Sequence, residues 1–127
     1  MRYIVMLLLL ITAAPAWAEW VRLSQTDGTV LYVDFTTLRA NGDTRRVWTL
    51  QDLKQRESNG EMSMRGLHEY DCQQERWRTL QISAHSEPMA RGKTLWTYSS
   101  PSKWEYIPPG TPAETILEII CGKSPLP

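Results

Sequence analysis

Apolar side chains recur along this chain mostly at every second position, in short runs broken by polar or glycine-containing pairs, and that period belongs to half-buried strands. In residues 20–24 it puts Val21 and Leu23 on one face and Arg22 on the other. Asp27-Gly28 suits a tight hairpin, so residues 30–34 read as the returning strand, while Phe35-Thr36-Thr37-Leu38 is too short to be a helix. Asn41-Gly42 is a second hairpin signal, and it leads into residues 45–50, which are rich in β-branched and aromatic side chains. Residues 54–61 are polar, end in Asn59-Gly60 and predict an exposed loop.

The stretch Gly66-Leu67-His68-Glu69-Tyr70-Asp71-Cys72 reads as a central strand. With Cys72 facing inward, the period of two puts Met64, His68 and Tyr70 on the core side and turns Glu69 and Asp71 outward. Residues 76–84 alternate again, with Leu80, Ile82 and Ala84 in phase opposite Trp77, Thr79 and Gln81, and residues 93–98 predict a sixth strand. The period then changes. Thr111-Pro112-Ala113-Glu114 is a capping box with proline at the first helical position, Ile116, Leu117, Ile119 and Ile120 form an apolar stripe, and Gly122 is placed to end the helix. The fold class predicted is α+β: an antiparallel sheet of about six strands with one C-terminal helix packed on it.

The N-terminus carries a different message. Arg2, the apolar run of residues 4–11 and the small-residue site Ala16-Trp17-Ala18 predict a signal peptide over residues 1–18, cleaved after Ala18, with a single domain over residues 19–127. Glu19 stands where a lipoprotein would need cysteine, so no lipid anchor is expected. No later segment approaches the roughly 20 apolar residues of a transmembrane helix. Removing 18 of the 127 residues leaves 109, with 13 Lys and Arg against 14 Asp and Glu once Arg2 has gone. That near-neutral balance argues against general nucleic-acid binding, which draws on dense cationic contacts to phosphates.

Two cysteines in an exported chain favour one disulfide, Cys72 with Cys121, over two free reactive thiols, because neither a C-x-x-C spacing nor an activating histidine accompanies them. His68 and His85 have no zinc-type spacing, so no metal is expected, and His68 reads as a core or rim residue bonded to a neighbour, His85 as solvated. No G-x-S-x-G elbow, G-x-G-x-x-G or P-loop is present, which leaves catalysis and nucleotide cofactors without support. Glu69 and Asp71 share a strand face, but beside arginines they read as a solvated polar face rather than a catalytic pair.

The aromatic load is the unusual feature. Trp20, Trp48, Trp77, Trp96 and Trp104 fall in a small domain, and Val47 beside Trp48 and Leu95 beside Trp96 put large apolar groups on both sheet faces. One helix covers one face, so the other needs sheet curl, loops or a partner.

In order, Trp20, Tyr32-Val33-Asp34, Arg46-Val47-Trp48, Glu69-Tyr70-Asp71-Cys72, Trp104, Pro109-Gly110-Thr111 and Cys121 give the chain a resemblance to the surface-adhesin protein E family of Gram-negative bacteria. The resemblance implies a six-stranded antiparallel sheet, one C-terminal helix and a disulfide at the positions of Cys72 and Cys121. It also implies an exported, non-enzymatic adhesin-like domain whose partner is a host-matrix or envelope protein. The competing expectation is a small periplasmic enzyme or ligand carrier with a tryptophan-lined pocket. Arg76 and Arg78, in phase on one strand, are the candidate partner-binding residues, because arginine and tryptophan are enriched in interface hot spots.

Overall fold

A computed structural model describes residues 18–126, so the expected signal segment lies, but for Ala18, outside the described residues. Seven strands follow in chain order: β1 Val21–Gln25, β2 Thr29–Asn41, β3 Thr44–Leu53, β4 Ser63–Asp71, β5 Arg76–Glu87, β6 Arg91–Tyr98 and the short β7 Glu105–Tyr106. The helix α1, Pro112–Ile120, comes last. β1 to β6 are neighbours in sequence order and pair antiparallel, while β7 pairs with the start of β5. The predicted antiparallel sheet with one C-terminal helix is therefore present. Among the described residues no helix is long and apolar enough to cross a membrane.

Both hairpin signals fold as hairpins, with one adjustment. Asn41 pairs with Thr44, so the two-residue loop is Gly42-Asp43 rather than Asn41-Gly42, and Gly42 supplies the left-handed φ of 58°. The ambiguous residues 35–38 belong to β2 but bulge out of its pairing with β3, which resumes only at Arg39 opposite Arg46. Asp34 builds that bulge. One carboxylate oxygen accepts the Thr36 amide at 3.0 Å, and the Thr37 hydroxyl donates to the Asp34 carbonyl while accepting the Trp48 amide. Side chains thus replace the missing ladder bonds, and Phe35 and Leu38 are freed to pack against the core.

Cross-strand register sorts the sheet into two faces. Val33, Val47 and Tyr70 point toward α1, whose Ile116, Leu117 and Ile120 complete one buried cluster. The α1 start is the expected cap: Thr111 Oγ1 accepts the Glu114 amide, and a Glu114 carboxylate oxygen reaches back to the Gly110 amide. At the other end the Lys123 amide donates to Glu118 and the Gly122 amide to Ile119, closing a Schellman motif around Gly122 at φ 78°. The Cys72–Cys121 disulfide then fixes this terminus to the end of β4, with Cα atoms 5.7 Å apart.

The strict alternation read in residues 76–84 fails at one point. Leu67 pairs with Gln81 but His68 pairs with Thr79, so Leu80 is an extra residue in a bulge. Trp77 and Thr79 therefore share the helix side with Ile82 and Ala84 instead of opposing them. On the reverse face, a single 3₁₀ turn, Pro88–Ala90, folds over the end of the sheet and is tied by the Met89 amide to Asp52 at 2.7 Å and the Ala90 amide to Ser63 Oγ at 2.9 Å. His85 lies buried there and bonds to Ser83 Oγ at 2.8 Å, so the expectation that it is solvated is corrected: β5 continues beyond the alternation read in residues 76–84 and ends only at Glu87.

Candidate functional site

The face of the sheet opposite α1 is built on rows of alternating charge. Register places Arg46 of β3, Glu69 of β4 and Arg78 of β5 side by side, and the next row brings Asp71 beside Arg76. Glu69 is 4 % exposed and receives Arg46 Nε at 2.9 Å on one oxygen and both Arg78 Nε at 2.9 Å and Nη2 at 2.7 Å on the other. Asp71 accepts Arg76 Nε at 3.0 Å and, through its second oxygen, the Gln73 and Gln74 amides of the following turn. These carboxylates are buried rather than solvated, which corrects the sequence reading: each is ion-paired with arginine on the same face.

Burial alone would raise the Glu69 pKa, but the guanidiniums of Arg46 and Arg78 outweigh it and hold the carboxyl below its ordinary value. The Gln74 amide, together with Arg76 and the Gln73 amide, overcomes burial in the same sense at Asp71. Both groups are therefore anions held in place, not a proton-sharing pair.

Trp104 completes the face. The Arg76 and Arg78 guanidinium carbons lie 4.8 and 4.5 Å from its ring centroid, and on β3 Trp48 receives Arg65 at 4.9 Å. Each arginine on Trp104 thus has a carboxylate in its plane and an indole against its face, a double restraint that lowers the entropy lost on binding. Arg76 and Arg78 still keep 30 and 28 % of their side-chain surface in solvent. The sequence placed these two arginines together and turned Trp77 away, as observed; it missed Trp104. The sequence carries no signal for it: β7 pairs Tyr106 with Arg76 and so brings the nearby Trp104 to the arginines, but a two-residue strand has no readable period. Arg45 is not part of this site: it donates to the Gly42 and Thr44 carbonyls at the hairpin.

The helix face offers a second concavity. Between α1, the segment before it and the sheet lies a cleft of about 520 Å³, lined by Thr49, His68, Tyr70, Trp77 and Ile116 among others. Trp77 is the only tryptophan in it, so the tryptophan-lined pocket expected of a carrier or enzyme is not what this cleft is. His68 Nδ1 lies 3.1 Å from Thr79 Oγ1, and burial lowers its pKa to about 4, leaving a neutral ring. Tyr70 is fully buried and its hydroxyl has no hydrogen-bond partner among the described residues, a defect that ordinarily costs about 1–3 kcal/mol. Among those residues no cluster of three or more His, Cys, Asp or Glu side chains is placed to hold a metal ion.

A sequence profile of the surface-adhesin protein E family matches residues 20–122. The chain belongs to the surface-adhesin protein E family. Protein E of Haemophilus influenzae has the same fold: one crystal form superposes with a TM-score of 0.66 at 13 % identity, covering 85 % of this chain and 91 % of that one. A second structure, of protein E from non-typeable H. influenzae, gives a TM-score of 0.57 at 12 % identity, over 87 % of this chain and 80 % of that one. No curated protein sequence matches the chain. At such identity the likeness carries the fold, and family membership rests on the profile.

Proposed function

We propose that this chain is an exported, non-enzymatic adhesin-like domain that engages a protein partner through the arginine face, with Arg76, Arg78 and Trp104 at its centre. The observation that carries the reading is the stacking of two part-exposed guanidiniums on one indole, on the sheet face that α1 leaves open. Family membership supports the adhesin-like role. Such a face suits a partner surface bearing carboxylates, which take planar guanidiniums two bonds at a time.

Export supplies the setting, with residues 1–18 removed and residues 19–127 forming the domain. The Glu19 backbone nitrogen lies 3.1 Å from the carboxylate of Asp34, which is 3 % exposed. Cleavage after Ala18 would turn that nitrogen into an ammonium and give Asp34 a charged partner.

The test is capture of the mature domain on immobilised extracellular-matrix proteins, comparing the parent with Trp104→Ala and with Arg76→Lys/Arg78→Lys. Lysine keeps a charge beside Glu69 and Asp71 but loses the planar fork and its stacking, so binding should fall while the melting temperature holds. Full capture by both folded variants would remove this face from consideration.

A further inference from the structure

The cleft on the helix face belongs to no part of the arginine site, and its chemistry is of a different kind. Its size falls within the range of small-molecule sites. Of its charged lining only Glu105 is present, exposed at the mouth; the rest is hydroxyl, amide, aromatic or aliphatic. Thr29, Thr49, Gln51 and Thr111 bring neutral polar groups from two strands and the helix cap, while Trp77 and Tyr106 contribute ring faces.

Two features in its lining point to a hydrogen-bonded occupant. The buried Tyr70 hydroxyl has no hydrogen-bond partner among the described residues, and a phenol in an apolar setting favours a ligand acceptor over none. His68 Nε2 lies over Gly66, where an added Cβ would stand only 2.7 Å away, so the glycine is what lets the imidazole lie along the strand. His68 and Tyr70 are two residues apart on β4 and face the same way, each within stacking distance of Trp77 at 5.3 and 5.9 Å between ring centroids. The ring of His68 is uncharged, so nothing in the wall attracts an anion.

We infer that this cleft binds an uncharged sugar, a mono- or disaccharide unit whose apolar ring face lies on Trp77 and Tyr106 and whose oxygens meet Tyr70, Thr49 and Gln51. Neutral walls with interspersed hydroxyls and aromatic rings complement a polyhydroxylated ring better than a fatty chain, which would leave the threonine and glutamine groups unpaired, and better than an acid, which would find no cation.

The test is an amide NMR titration of the mature, disulfide-bonded domain with cellobiose and N,N′-diacetylchitobiose, with sialic acid and octanol as the contrasting probes. The expected result is saturable millimolar binding of at least one neutral sugar, with shifts at Thr49, Gln51, Ala113 and the Trp77 indole and none from sialic acid. Tyr70→Phe, which keeps the ring, should weaken that sugar about tenfold, as the loss of one well-made hydrogen bond does. Gln51→Ala changes an exposed rim position and tests the same site without touching the core. Absence of saturable shifts from both neutral sugars would overturn the inference. So would octanol moving these residues in their place, or affinity unchanged in folded Tyr70→Phe and Gln51→Ala alike.

Discussion

The two faces of the sheet are held by opposite means. On the helix face, Val33, Val47, Tyr70, Ile116, Leu117 and Ile120 exclude water by apolar burial, and a disulfide fixes the last turn of the helix. On the other, Glu69 and Asp71 are buried among arginines whose outer atoms remain wet, and two tryptophans serve as platforms. Apolar burial is unspecific about charge and salt, whereas a buried carboxylate depends on its partners and on pH. One face therefore gives the fold its strength, and the other gives it a defined, partly exposed array of guanidiniums.

The largest effects on stability should come from weakening the helix face. Leu117→Ala should cost about 2–5 kcal/mol, the range for a buried leucine, and should leave the charge rows of the other face in place. Cys72→Ser removes a bridge between residues 49 apart, and should cost roughly 4 kcal/mol by the loop-entropy argument. Both are read by urea unfolding under oxidising conditions. An unchanged midpoint for Cys72→Ser would mean that the bridge does not constrain the helix.

Next comes the charged face. Glu69→Gln leaves Arg46 and Arg78 without their shared anion and should cost about 3 kcal/mol, near the low end for breaking a buried pair because both arginines are part-exposed. The contribution of Glu69 and Asp71, whose pKa values are depressed in the fold, is complete above the ordinary carboxylate range and is lost as pH falls through and below it.

His68 acts at higher pH on the other face. Its folded pKa of about 4 lies below the unfolded value of 6.5, so the unfolded chain takes up the proton first, and stability declines as pH falls from about 6.5 to about 4. The His68 share of that decline should reach roughly 3 kcal/mol, and His68→Asn should remove it, leaving the part due to His85, whose pKa is also lowered by burial and by Arg65, and the acid limb set by the carboxylates. A parent stability that is flat across that interval would contradict the buried neutral imidazole. The smallest effect expected is from Tyr70→Phe, which removes an unpartnered hydroxyl and should leave the urea midpoint unchanged or slightly raised.

What could be read from the sequence follows from where local rules hold. Hairpin residues, the capping box and Gly122 act through neighbours in the chain, so the hairpins, the antiparallel sheet and the helix were legible. The bulges were not. Residues 35–38 leave their ladder because the Asp34 side chain captures Thr36, and Leu80 breaks the alternation of β5 to fit β4; neither event has a period. The arginine pair was legible because Arg76 and Arg78 stand two apart on a strand. Its tryptophan was not, because Trp104 arrives through a pairing between a two-residue strand and the start of β5. His85 was misread because the alternation legible in the sequence ends at Ala84, while β5 runs on to Glu87 and the 3₁₀ turn that follows folds back over the sheet.

Binding by the arginine face, with the helix face holding the fold, is read out by hydrogen–deuterium exchange of the mature domain, free and bound to a captured matrix protein. Such binding should add protection over residues 76–78 and 104–106 and none over α1. Protection confined to α1 or β1, with residues 76–78 exchanging as in the free domain, would contradict it.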